Sequence, residues 1–149
     1  MDKEYEKKCY ELAHYIFKDV DETIDDLEIR YPARNLKEGA CVTRFAPSPT
    51  GFLHTGALFT SLVDKRLARQ TDGIFYLRIE DTDGKREVPG SVKLFTEELK
   101  EFGLSPDEGV IAEGKEIGDY GPYTQSKRKR IYEICAKHLV EKGLAYPCF

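Results

Sequence analysis

The sequence predicts an α/β protein built on a parallel sheet, and three observations carry that reading. A β-prone run, Cys41–Phe45, is followed by apolar residues at near-helical spacing and then by a second β-prone run, Ile74–Ile79. Two strands joined by a helix in so short a length imply a parallel pair with a crossover, the opening of a doubly wound sheet. Further helical patterns follow on the C-terminal side, as an alternating α/β chain requires.

Taken in order, the chain opens with Tyr5, Cys9, Leu12, Ala13, Ile16 and Phe17 on one helical face, which predicts a short amphipathic helix. Asp19 to Glu28 is acid-rich, and Tyr31 to Gly39 has the Pro and Gly punctuation of a connector, so a boundary is expected near Gly39. After strand Cys41–Phe45, Pro47 and Pro49 force the residues before them into extended geometry, and Gly51 ends that rigid piece. From Thr55 to about Gln70, Leu58, Leu62, Val63, Leu67 and Ala68 predict a helix, closed by a turn at Thr71-Asp-Gly73. A further helix is expected with Val92, Phe95, Leu99 and Phe102 inward and Gly103 past its end. Leu104 to Tyr123 reads as loop with a brief hairpin around Val110-Ile111. The last helix should span Ser126 to Lys142, with Ile131, Ile134, Cys135 and Leu139 on one face, before Leu144 to Phe149 enters another strand. A sheet cut off at that strand reads as part of a longer fold.

A chain of 149 residues buries roughly 68–70% of its unfolded surface, enough for a packed core. With 40% hydrophobic and 34% charged residues and no long apolar run, it reads as globular rather than membrane-embedded. Residues 1–10 lack the apolar block of a secretory signal, so a cytoplasmic location is expected. Cys9, Cys41, Cys135 and Cys148 have no CxxC spacing, which fits reduced thiols better than a disulfide framework or a complete zinc site. Of the 23 basic and 27 acidic residues, 7 and 11 fall in residues 1–38, leaving 16 of each beyond, so an acidic leader precedes a neutral body. Net charge therefore neither requires nor excludes a nucleic-acid partner.

Open α/β sheets bind ligands beyond the carboxyl ends of their strands. The first such end delivers Arg44 and the Pro-rich loop, leading to a helix start at His54 and Gly56 whose unpaired backbone N–H groups favour phosphate. The second delivers Arg78, Glu80, Asp81 and Asp83. A cation and carboxylates in one crevice suit a zwitterion such as an amino acid, whose carboxylate takes an arginine fork and whose ammonium takes a carboxylate. Taken singly, Arg44 reads equally as a surface arginine and His54 as an exposed histidine. A calcium loop beginning at Asp81 is excluded, because Val92 stands where the bidentate glutamate belongs. Lys127 to Arg130 has the composition of a solvated helix start, although four cations are unusual there and favour a polyanion. Neither GxxxxGK[ST] nor GxGxxG occurs.

Five segments in succession, Arg44-Phe-Ala-Pro-Ser-Pro-Thr-Gly51, His54-Thr-Gly56, Arg78-Ile-Glu-Asp-Thr-Asp83, Gly121-Pro-Tyr-Thr-Gln-Ser126 and Ala145-Tyr-Pro-Cys-Phe149, resemble the N-terminal part of the bacterial glutamyl-tRNA synthetase family. The resemblance covers residues 42–149, and the leader matches none of the family's motifs. It implies the first half of a class I aminoacyl-tRNA synthetase catalytic domain, a Rossmann-type parallel sheet over residues 39–149, preceded by a helical extension over 1–38. The family's HIGH signature falls on His54 to Ala57, with Thr55 and Ala57 as departures. By that resemblance His54 and Gly56 would be catalytic. Arg44, Ser48 and Glu80 would bind L-glutamate, and Pro47, Thr50, His54, Gly56 and Ala57 would bind ATP, supplied with Mg. The acceptor end of tRNA(Glu) would be the second substrate, with neither membrane nor DNA as partner. Cys148 would join a zinc site only in a longer chain, so no zinc is expected here. The family's lysine-bearing KMSKS-type loop is absent from the sequence, so the 149 residues alone are expected to be inactive. Two other readings stay open: a shortened paralogue that glutamylates a modified tRNA base, and a nucleotide- or RNA-binding module without chemistry.

Overall fold

A computed structural model of the chain describes residues 2–148. By contacts the chain groups into two compact units, one of residues 34–127 and one of residues 2–33 with 128–148.

The larger unit holds the sheet. Strands β1 (Val42–Phe45), β2 (Ile74–Leu77), β3 (Glu108–Ala112) and β4 (Lys115–Ile117) lie in that spatial order. β1 and β2 are parallel with Val42 opposite Ile74 and Phe45 opposite Leu77, and β3 continues the parallel set beside β2. β4 returns antiparallel from β3, with an irregular register between Val110 and Ala112. The expected hairpin at Val110-Ile111 is therefore present, and its first strand is also a full member of the parallel sheet. Gly109 makes that junction possible: it takes φ +108°, and a Cβ there would stand 2.1 Å from the Leu77 carbonyl oxygen.

Helix α3 (Thr55–Gln70) crosses from β1 to β2, and α4 (Ser91–Glu101) packs on β3. The core gathers Phe45, Ala68, Phe75, Leu77, Ile79, Phe95, Leu99, Leu104, Val110 and Tyr123. α3 turns inward a face of small and polar residues beside Leu58, which packs against the core. Ser61, Lys65 and Ala68 are buried, while Phe59, Leu62, Val63 and Leu67 are exposed. The polar members of that buried face are satisfied locally, since the Ser61 hydroxyl donates to Ala57 O and Lys65 Nζ donates to Ser105 O. Burial pushes the Lys65 ammonium below its ordinary pKa, and Asp107 pulls it partly back. Phe102, expected inside, is exposed just past the end of α4.

The smaller unit is helical: α1 (Lys3–Ile16), α2 (Ile24–Arg30) and α5 (Lys129–Glu141), the last preceded by a 3-10 turn over Gln125–Arg128. α1 and α2 both pack on α5. Thus the last helix keeps company with the leader by contact, although a sequence boundary near residue 39 would group it with the body. Val20, Leu27 and Ile134 form the centre, with Phe17, Ile24, Ile131 and Cys135 around them. On α1 only Cys9 and Ala13 are buried, and Tyr5, Leu12 and Ile16 remain exposed, as does Leu139 on α5. The acid-rich stretch conceals α2, which starts with a capping box in which Thr23 and Asp26 exchange side-chain and backbone hydrogen bonds. The cations at the start of α5 are partly committed within this unit: Arg130 donates to Glu22 at 3.0 Å and to Asp19 O at 2.7 Å. Leu144 to Cys148 has no strand pairing, contrary to the expected final strand; Phe149 lies outside the described residues.

Candidate amino-acid and nucleotide site

The site grows from the carboxyl ends of β1 and β2. Beyond Phe45 the Pro-rich loop is tied down by backbone hydrogen bonds, with Glu80 N donating to Pro47 O at 3.0 Å and Val88 N donating to Pro49 O at 2.8 Å. Leu53 N is held by the Glu98 carboxylate of α4 at 3.2 Å. These anchors fix a loop that has no regular hydrogen-bond ladder of its own.

A cavity of about 510 Å³ opens against this loop and the start of α3. Pro47, Ser48, Thr50, His54, Gly56 and Ala57, all singled out in the sequence, line it, joined by Phe45, Phe52, Leu53 and Thr60. His54 is the N-cap of α3, where its Nδ1 accepts the Ala57 N–H at 3.2 Å. A side chain at position 56 would crowd that ring, because a Cβ there would lie 3.0 Å from His54 Nδ1. Glycine thus keeps the helix start open while the histidine caps it.

Arg44 and Glu80 are not among the cavity's lining residues; they stand on the adjoining strand ends. Arg44 Nη1 lies 3.6 Å from Glu80 Oε1, and Arg78 Nη2 donates to the same oxygen at 2.8 Å. Both cations therefore address one oxygen of Glu80. The Arg78 Nε is buried with no hydrogen-bond partner. Asp64 on α3 also feels this corner: burial raises its carboxyl pKa and the charge of Arg44 draws it back down. The other expected carboxylates are engaged elsewhere. Asp81 accepts from Ser126 N at 2.8 Å and from Ser126 Oγ at 2.5 Å, and Asp83 pairs with Arg86 at 2.6 Å.

Residues 120–126 form a strap along the end of β2. Ile79 N donates to Tyr123 O at 2.9 Å and Gln125 N donates to Ile79 O at 2.8 Å, a parallel bridge centred on Ile79 and Thr124. Glu116 braces the strap by accepting from Tyr123 N and Thr124 Oγ1. The Tyr123 hydroxyl donates to Glu108 Oε2 at 2.8 Å and accepts from Tyr120 N at 3.1 Å. Burial, reinforced by the Glu108 contact, pushes the Tyr123 phenol up to about 12. Sequence reasoning found the strap's residues only as a motif; their alternation with Glu108 and Glu116 of the hairpin gave no local signal.

Among the described residues no group of three or more His, Cys, Asp or Glu side chains is placed to hold a metal ion, and no helix is long and apolar enough to cross a membrane.

Comparison with known proteins gives a consistent answer. Residues 40–149 match the sequence model of the class I tRNA synthetases (E and Q), catalytic domain. The glutamate–tRNA ligase of Clostridium perfringens strain 13 is 54% identical over 138 residues, covering 93% of this chain and 25% of that protein. The corresponding ligase of Acetivibrio thermocellus is 53% identical over 139 residues, again 93% of this chain and 25% of that protein. Among solved structures, a glutamate–tRNA ligase from Elizabethkingia meningosepticum in complex with its amino acid aligns with a TM-score of 0.62 and 44% identity, over 70% of this chain and 20% of that one. The chain spans about a quarter of the length of the curated relatives it matches.

Proposed function

Because this chain belongs to the class I tRNA synthetase family (E and Q), matching its catalytic domain over residues 40–149, we propose that it supplies the first portion of a glutamate–tRNA ligase active site. L-Glutamate, ATP and the acceptor end of tRNA(Glu) are the substrates in this reading, and the cytoplasm is its place. Residues 39–149 are the catalytic-domain portion and residues 1–38 an added leader.

The observation that carries the reading is the Arg44–Glu80 pair at 3.6 Å, joined through the Glu80 N to Pro47 O hydrogen bond to the loop that lines the cavity. Arg44 takes the side-chain carboxylate of glutamate with Ser48 beside the same loop, and Glu80 takes the α-ammonium. His54 and Gly56 receive the ATP phosphates at the α3 N-terminus, where free N–H groups and the helix dipole favour anions. Pro47, Thr50 and Ala57 complete the nucleotide wall.

The chemistry is an in-line displacement. An α-carboxylate oxygen forms a bond to the α-phosphorus as the bond from that phosphorus to pyrophosphate breaks, and a terminal tRNA hydroxyl then displaces AMP from the acyl carbon. Catalysis is positioning plus stabilisation of charge on phosphate oxygens, with no protein nucleophile. Mg would arrive bound to ATP and would supply positive charge to the phosphate oxygens.

Selection of glutamate follows from Arg44. Glutamine in the same place would leave the guanidinium without its anion, at a cost of about 2–5 kcal/mol by analogy with truncated charge pairs. Arg44→Ala in the longer enzyme should raise the glutamate KM and erase most of the preference over glutamine, measured by amino-acid-dependent ATP–pyrophosphate exchange. Unchanged discrimination would remove Arg44 from the role.

A further inference from the structure

Arg34 lies in the connector before β1, ahead of the first residue that the family model matches. Its guanidinium grips Glu108 of β3 with two prongs, Nη1 to Oε1 at 2.5 Å and Nη2 to Oε2 at 2.6 Å, and it stacks 3.7 Å above the Tyr120 ring. Both side chains of the pair are mostly shielded, 17% and 14% exposed. Glu108 Oε2 also accepts from the Tyr123 hydroxyl, and Tyr123 O receives Ile79 N, one residue before Glu80.

We infer that Arg34 is a positioning residue for the amino-acid site: through Glu108, Tyr120 and Tyr123 it sets the strap that holds Ile79 and thereby aims Glu80. The sequence of contacts is continuous within one compact unit. Without Arg34, Glu108 keeps a largely buried negative charge to which the neutral Tyr123 hydroxyl still donates but which has lost its guanidinium, so the strap loses the anchor that fixes its register on β2. The connection of this geometry to glutamate rests on the function proposed above; the geometry itself does not.

The test uses the 149-residue chain and nuclear magnetic resonance. Amide exchange is followed at Ile79 and Gln125, which pair across the strap, and at Leu104, whose N–H donates to Leu99 O away from it. The chemical shift of the Glu80 side-chain carboxyl carbon is read in parallel at one pH. Arg34→Ala should speed exchange at Ile79 and Gln125 about tenfold or more, leave Leu104 unchanged and move the Glu80 carboxyl signal. Arg34→Lys, which keeps the charge and loses the fork, should give the same pattern at smaller size and serves if the alanine variant does not fold. The exchanged pair Arg34→Glu with Glu108→Arg should restore part of the protection. Unaltered exchange, a uniform rise at all three amides, or a Glu80 carboxyl signal at the parent chain's position overturns the inference. L-Glutamate added to the parent chain reports separately: an unmoved Glu80 signal counts against the proposed function and leaves the positioning result standing.

Discussion

Glu108 accepts three hydrogen bonds, two from Arg34 and one from Tyr123. The Arg34 contact, ahead of the opposing effect of burial, holds its carboxyl below the ordinary range. A folded chain that binds this proton less readily than the unfolded one gains stability as pH rises. The contribution is fully present above the ordinary glutamate value of about 4.3 and disappears as pH falls through the lower folded value. Tyr123 works at the other extreme: its phenol is raised to about 12, so its contribution holds below the ordinary tyrosine value of about 10 and is lost on the way to about 12. The unfolding free energy from urea titrations should therefore fall below about pH 4.5 and again above about pH 10, by about 1 kcal/mol each. In Arg34→Ala the acid drop should shrink; an identical acid limb would show that other carboxylates produce it.

At the scale of elements, the β1–loop–α3–β2 unit was legible because its signals are local. A β-prone run, two prolines, a glycine and a helical period each restrict the backbone without reference to anything distant. α2 was legible in principle through Thr23-x-x-Asp26 and hidden by its acid content, which reads as solvated loop. Removing the cap in Thr23→Ala should cost about 1 kcal/mol, seen as a lower urea midpoint for α2 and its neighbours; a neutral result would mean that packing of Leu27 alone holds the helix. The inward face of α3 was not legible from its apolar residues, because they spread around the helix: Leu58 and Ala68 meet the core while Leu62, Val63 and Leu67 are exposed. Ser61 and Ala68 are small enough to let the helix approach the strands, and Lys65 finds the Ser105 carbonyl, so the less apolar face goes inward. For the site, the motif residues were legible and their mutual contacts were not. Nothing near Glu108 in sequence announces that Arg34, 74 residues earlier, takes both its carboxylate oxygens.

For the whole molecule, the consequence of that inward face is an exposed apolar patch on α3. Phe59 is 65% exposed, with Leu62, Val63 and Leu67 beside it on α3, and β1 is the edge strand of the sheet. Exposed apolar helix and open strand edge together favour association. Sedimentation velocity of the 149-residue chain should show concentration-dependent growth in mass, and Phe59→Lys should suppress it several-fold. A monomer at every concentration would mean the patch is too small to matter.

Arg44 and Arg78 both reach Glu80 Oε1, at 3.6 Å and 2.8 Å. Two guanidinium groups against one carboxylate leave this corner with an excess of positive charge. On the proposed reading, the side-chain carboxylate of glutamate is the anion that balances the excess, and a glutamine in its place would leave it standing. Glutarate, which has two carboxylates and no ammonium, would balance the charge and forgo the contact with Glu80. Under that reading the corner weighs the charge of a side chain before it measures its shape.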